Sequence, residues 1–246
     1  MKCKNFSVIF LFLVLLINGC IIEKPGEEII KKKVPEVKST IINNVSIEWL
    51  GHASFKVSDD VIIYIDPYIL PEGAEKADLI LVTHEHFDHC DPNRINQIRK
   101  DDTVIVTTSA CANKLKDVIT VKSGDKLNVR GVPIEVVLAY NVEKPYHPKG
   151  RGVGFVFEIH GLRIYHAGDT DFIPEMKNLR EIDVALLPIG GTYTMDEEEA
   201  SEAVKAINPK IVIPMHYNYI ENTEADPIKF KSLASEKDPR VEVRIL

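Results

Sequence analysis

The order of elements implied by the apolar patterning occurs twice, and this repetition constrains the fold more than any other feature of the chain. "ADLILVT" (residues 77–83) and "IDVALLPIGG" (182–191) are nearly continuous apolar runs, the pattern of strands buried on both faces. Each follows a pair of strands joined by a tight turn, "SFKVSDDVIIYID" (54–66) and "GFVFEIHGLRIYHAGD" (154–169). Each also precedes a helical pattern and a further buried strand. These are "PNRINQIRK" and "TVIVTT" in the first half, "TMDEEEASEAVKAI" and "KIVIPMHY" in the second. Repetition at roughly 100 residues marks two copies of one plan. Two such halves predict an α/β fold with an internal two-fold pseudo-repeat, its two sheets packed together and helices on both flanks. Asp91 and Pro92 read as the N-cap and first residue of one helix. Thr194 and Glu197 read as the capping pair of another.

The strand ends carry the chemistry. Asp66, His84, Asp169 and His216 each fall just past the C-terminal end of an expected strand, where open α/β sheets place their sites. Three of the chain's eight histidines lie between His84 and His89, in "HEHFDH". A packed core cannot easily satisfy that density of imidazole, whereas metal ions can. Residues two apart in an extended stretch point the same way, so His84 and His86 can share one ion. Asp88 and His89 lie past a bend and can face a second. Asp169 could bridge the two ions, and His216 would complete the second site. Imidazole with carboxylate suits Zn²⁺, Mn²⁺ or Fe.

The pattern His84-x-His86-x-Asp88-His89, with Asp66 in "IDPY", Asp169 in "AGDT" and His216 before Tyr217, resembles the metallo-β-lactamase superfamily over nearly all of residues 45–246. The set "WLGHASF", "IDPY", "YHAGDT", "LLPIGGTYTM" and "PMHYN" is similar, more narrowly, to the branch of ascorbate-6-phosphate lactonase-like proteins and N-acyl-phosphatidylethanolamine phospholipase D. The resemblance implies a four-layer αββα sandwich with two divalent ions, zinc first and manganese or iron as alternatives. It also implies hydrolysis of a small ester, lactone, amide or phosphoester by a metal-bound hydroxide. Asp88 and Asp169 are then the candidate catalytic carboxylates, the first orienting the hydroxide and the second bridging the ions.

The superfamily draws the third ligand of the first ion from a loop after a mid-chain strand. By position, the end of "PIEVVLAYN" offers Asn141, a poor ligand for a zinc-type ion. His147, stiffened between Pro145 and Pro148, is expected to supply the nitrogen instead, with Asn141 shaping the loop or holding a ligand from behind. His52 is expected to line the pocket or to hydrogen-bond a ligand, Asp66 to support a ligand, and Tyr193 to sit at the pocket rim. His166 reads as packing or support, and His160 as a solvated turn residue. Cys90 and Cys111 make no disulfide framework, and Cys90 reads as a buried thiol beside His89.

The chain's 246 residues, 45% of them hydrophobic, are enough for one large domain. Its net charge of −7 argues against a nucleic-acid partner. Lys144, Lys149 and Arg151 near the expected site would suit an anionic group on a small-molecule substrate. At the N-terminus, Lys2 and Lys4 precede the apolar run 6–17 and then "NGC". That run is shorter than the ~20 residues of a membrane span, and "LLINGC" resembles a lipobox. Residues 1–19 therefore read as a lipoprotein signal peptide, 20–43 as a tether, and 44–246 as the hydrolase domain. The protein is expected to be extracytoplasmic and lipid-anchored to a membrane through Cys20. Two rival readings are a metal-binding surface lipoprotein without turnover and a nucleic-acid phosphodiesterase. A diiron oxidoreductase would need glutamate in place of His86, and Glu85 falls at the wrong position.

Overall fold

The computed structural model describes residues 38–246; the expected signal peptide and most of the expected tether lie outside the described residues. The first sheet opens with β1 (Lys38–Ile42), β2 (Val45–Gly51), β3 (Ser54–Ser58) and β4 (Ile62–Ile65), each antiparallel to the one before. β5 (Leu79–Val82) then joins in parallel. Helix α1 (Pro92–Ile98) carries the chain to β6 (Val104–Thr107), and α2 (Ser109–Ala112) precedes β7 (Ile119–Thr120) at the far edge. The second sheet repeats the scheme. β8 (Lys126–Val129), β9 (Val132–Ala139), β10 (Gly152–Ile159) and β11 (Leu162–His166) are antiparallel. A 3₁₀ turn (Pro174–Asn178) leads to β12 (Val184–Pro188), which is parallel to β11. Helix α3 (Glu197–Ile207), β13 (Ile211–Met215), α4 (Pro227–Lys237) and β14 (Glu242–Val243) complete the parallel half. Each sheet has seven strands in sequential order, and together with the helices they form the expected αββα sandwich.

The alternation of side chains explains the layers. Along β5, Leu79 and Leu81 join the main core with Phe55, Phe155 and Phe157. Ile80 and Val82 point the other way, into a smaller core closed by Ile95 and Ile98 of α1. Helices α3 and α4 bring Ala200, Val204, Phe230 and Ala234 to the main core.

The pseudo-repeat reaches individual hydrogen bonds. Asp78, just before β5, exchanges bonds with Ile62 (its amide donates to Ile62 O, and Ile62 N donates to its carboxylate, both at 2.9 Å) and pairs with Lys100 at 2.6 Å. Asp183, just before β12, does the same with Arg163 at 2.9 and 2.8 Å and with Lys210 at 2.6 Å. In both halves an aspartate fastens the central strand to the hairpin strand that precedes it.

Three expectations are corrected. Residues 38–42, read as the end of the tether, form β1. Its side chains are mostly exposed, so it shows no apolar alternation. It is held by backbone pairing and a two-residue turn at Asn43 and Asn44, both with positive φ, as a type I′ hairpin requires. Helix α3 is capped by Asp196 and Glu199 rather than Thr194 and Glu197: Asp196 Oδ1 accepts from Glu199 N at 2.8 Å, and Glu199 Oε2 accepts from Asp196 N at 3.1 Å. Cys90 and Cys111 form a disulfide, because the parallel pairing of β5 and β6 brings the segments after them side by side. Helix α1 begins as read, with Asp91 accepting from Asn93 N and Pro92 in the first turn. Among the described residues no helix is long and apolar enough to cross a membrane.

Candidate metal centre

Histidines and aspartates from the ends of five strands meet at one edge of the sandwich. One group of donors, His84, His86 and His147, has its ligand atoms within 4.8 Å of one another. His52, Asp88, His89 and His216 form a second such group, and His84, His89 and Asp169 a third that overlaps both. All are buried except His86, the most accessible of the set.

The imidazoles of His84, His89 and His147 are each aimed by a group behind them. The Thr83 hydroxyl has one hydrogen and gives it to Asp66 Oδ2 at 2.7 Å. Thr83 Oγ1 therefore accepts from His84 Nδ1 at 3.0 Å, which leaves His84 Nε2 as the bare nitrogen facing the centre. Asp66 also accepts Thr83 N at 2.8 Å and His89 Nδ1 at 2.7 Å, so His89 likewise turns Nε2 inward. His147 Nδ1 lies 3.1 Å from both Asn141 Oδ1 and Tyr193 O. Both partners are acceptors, so Nδ1 carries the proton and Nε2 is bare. That nitrogen sits 3.2 Å from His86 Nδ1 and 3.2 Å from Asp169 Oδ2.

Asn141 stands behind His147. Its carbonyl oxygen accepts from the His147 backbone at 2.9 Å, and its amide donates to Asp171 Oδ1 and Tyr193 O, both at 3.0 Å. The structure thus turns the His147 imidazole toward the other donors and uses Asn141 to hold it. His52 Nε2 lies 2.9 Å from Asp88 Oδ2. Asp169 faces every group of donors: Oδ2 is 3.0 Å from His216 Nε2 and 3.9 Å from His84 Nε2, and Oδ1 is 3.4 Å from His89 Nε2.

The fit to metal ions rests on atoms that have no other partner. His84 Nε2, His89 Nε2, Asp169 Oδ1 and both ring nitrogens of His216 are buried without a hydrogen bond. A fold retains buried polar atoms of this kind only where something pairs them, and these donors suit a borderline divalent cation. The electrostatics agree. Burial pushes the pKa of His84 well below its ordinary value and lowers that of His86, leaving neutral rings able to ligate. Burial would raise the carboxyl of Asp169, but His216 and His89 hold it well below the usual range. Burial would lower His89, yet Asp169, Asp88 and Asp66 together raise it.

Backbone conformation places the ligands. His52, Asp66 and His216 all have positive φ, at 55°, 45° and 56°, a region costly for non-glycine residues. Gly168, also with positive φ, could carry no Cβ, which would meet Val153 O at 2.7 Å. At Gly190 a Cβ would meet His216 O at 2.3 Å, so the backbones run too close there for any side chain.

Other expectations resolve less centrally. His166 donates from Nε2 to Ala53 O at 3.0 Å and accepts Gly168 N at Nδ1 at 3.2 Å. It ties the two sheets together outside the donor groups. His160 is exposed beside Asp59 and Asp60. Lys144, Lys149 and Arg151, read as candidate anion contacts, are paired instead with Asp171 and Glu199, with Glu175, and with Glu85. Sequence reasoning missed Thr83 and Asp171. Thr83 adjoins His84 and Asp171 follows "GDT", but nothing short of the folded contacts signals their roles.

A family model described as "Beta-lactamase superfamily domain" matches residues 46–216. The chain is 37% identical over 210 residues to the UPF0173 metal-dependent hydrolase of Thermoplasma acidophilum, covering 78% of this chain and 92% of that protein. It is 39% identical over 210 residues to its counterpart in Pyrococcus abyssi, covering 78% and 93%. The chain belongs to the UPF0173 family of metal-dependent hydrolases, in the metallo-β-lactamase superfamily. Among solved structures, Igni18, a metallo hydrolase from Ignicoccus hospitalis, superposes with a TM-score of 0.69 at 31% identity. The match covers 82% of this chain and 94% of that one. The donor groups and their supports lie within residues 46–216, the span that the superfamily model matches.

Proposed function

We propose that this UPF0173 protein hydrolyses a small ester, lactone or phosphoester with two divalent ions, zinc first among them. His84, His86 and His147 would hold one ion, and Asp88, His89 and His216 the other, with Asp169 between them. The observation that carries this reading is the convergence of buried, unpartnered nitrogen and carboxylate atoms on Asp169 at the floor of an open cleft. Bound there, the ions supply Lewis acidity toward the scissile oxygen and a water made acidic near neutral pH.

The chain's own residues do the rest. Asp88, its Oδ2 fixed by His52 at 2.9 Å, keeps one carboxylate orientation and can receive the proton of the attacking water. Asp66 and Thr83 hold His89 and His84 in the tautomers that expose Nε2. Asn141 does this for His147. Structural zinc sites are closed by four ligands at one ion. Six donors spread around a central carboxylate beside a cavity of about 320 Å³ favour turnover over simple metal storage. The branch resemblance puts lactones and phosphodiesters in the substrate panel. The experiment is turnover of such a panel by protein reconstituted with zinc or manganese, then stripped with chelator. Loss of hydrolysis on chelation and its return with metal support the reading; hydrolysis unaffected by complete metal removal sinks it.

The proposal extends to location. The lysines at positions 2 and 4, the short apolar run and "NGC" support lipid modification at Cys20 after removal of residues 1–19. The Cys90–Cys111 disulfide suits an oxidising compartment.

A further inference from the structure

The cleft over the donor groups has an apolar wall. Phe87, in the middle of the His84–His89 loop, is 64% exposed, and Tyr146, beside His147, is 42% exposed. With Tyr193 and Ile220 they line the cavity above Asp88 and Asp169. Large aromatic side chains left in water at one site mark a binding surface more often than chance exposure does. They are also braced rather than loose. Phe87 packs edge-on against Tyr68 with ring centroids 5.9 Å apart, and Tyr146 packs edge-on against Tyr193 at 4.8 Å. Each partner holds the aromatic ring in place at low entropic cost.

The charges around this wall point the same way. The residues lining the cavity include no lysine or arginine. The three cations of the adjoining loop are each held by carboxylates: Lys144 by Asp171 at 2.9 Å, Lys149 by Glu175 at 2.8 Å, Arg151 by Glu85 at 2.5 Å. An anionic group on the substrate away from the reacting bond would find no free cation among the residues lining the cavity. A site built to hold an anionic group away from the reacting bond would show the opposite, an unpaired guanidinium or ammonium fork.

We infer that the cleft selects an uncharged substrate carrying an aromatic or bulky apolar group, which Phe87 and Tyr146 clamp while the adjoining ester or lactone bond lies over the donor groups. The inference rests on the hydrolase reading for the identity of that bond, but the clamp itself does not. Apolar contact contributes to binding through area removed from water, so the clamp should act on KM and on the affinity for products that retain the ring.

The test uses the full chain reconstituted with zinc. Benzyl acetate and ethyl acetate have leaving groups of similar basicity, and benzyl phosphate carries the same ring on a dianion. Separately, binding of 2-naphthol is followed by its fluorescence, with no turnover required. The expected result is a KM for benzyl acetate at least about tenfold below those for ethyl acetate and benzyl phosphate. The preference for benzyl over ethyl acetate and the affinity for 2-naphthol should each fall about tenfold in Phe87→Ala and in Tyr146→Ala. If no ester is cleaved while naphthol binding still depends on both residues, the hydrolase reading fails and the clamp stands. Esters cleaved with no preference for the ring, naphthol bound equally by both variants, or tighter handling of benzyl phosphate than of benzyl acetate would each overturn the inference.

Discussion

His52, Asp66 and His216 hold left-handed backbone at the ends of their strands, and no residue type among them favours that conformation as glycine does. Such strain, of order 1–3 kcal/mol per residue, persists only where surrounding contacts over-determine it. Here the contacts are those of the centre: Asp66 alone accepts three hydrogen bonds from Thr83 and His89. His84, His86, Asp88 and His89 were legible in the sequence because their spacing is local. The partition between Asn141 and His147 was harder, since it depends on which side chain turns inward after six residues of loop. The structure turns the imidazole inward and leaves the amide behind it, which makes a prediction. His147→Ala should lose close to one metal equivalent. Asn141→Ala should keep both ions but bind the first one about 10- to 100-fold more weakly. Metal analysis of the dialysed variants reads this directly, and loss of an ion in the asparagine variant alone would reverse the two roles.

At the scale of elements, strand order and the repeat were readable from apolar runs, because a strand buried on both faces leaves an unbroken signature. β1 was not: an edge strand with exposed side chains is written only in its backbone bonds. The pairing of Cys90 with Cys111 was likewise hidden, since it follows from parallel strand register rather than spacing. The bond closes a loop with a sequence separation of 21 that contains α1 and β6. Reduction should lower stability by about 3 kcal/mol, measured as the shift in chemical denaturation with and without a strong reductant; unchanged stability would mean that the pairing is idle.

The Asp78 clamp gives a pH prediction. Burial raises the Asp78 carboxyl, but the bonds from Ile62 N and Lys100 outweigh it and lower the folded-state pKa. A depressed folded pKa adds stability above the unfolded value, near 4, that is lost as pH falls through the folded value. Denaturation of metal-free wild type and Asp78→Asn should therefore differ by about 1 kcal/mol at pH 7. The two should converge in strong acid, and a gap that widens on acidification would show the sign to be wrong.

For the whole molecule, the two sheets act as a frame that brings the loops after β2, β5, β9, β11 and β13, which carry the donors, to one edge, with Asp66 at the end of β4 behind them. The donors are scattered from His52 to His216, and it was their placement at the ends of expected strands, with the superfamily resemblance, that foretold that they would meet. What composition could not show was the pairing of the loop cations, because ion partners from distant loops leave no local pattern. The proposed lipid anchor belongs to this scale as well. Intact-mass measurement of membrane-extracted protein should show a chain beginning at a lipid-modified Cys20, and a mass that retains residues 1–19 would end that proposal.

The central claim is a hydrolytic centre in which Asp169 joins two groups of ligands. Metal content and hydrolysis measured together on wild type and Asp169→Asn test it most directly. About two ions are expected per wild-type chain. Asp169→Asn should fold, lose metal and fall at least about a hundredfold in turnover. Full activity with unchanged metal content in Asp169→Asn would contradict the claim.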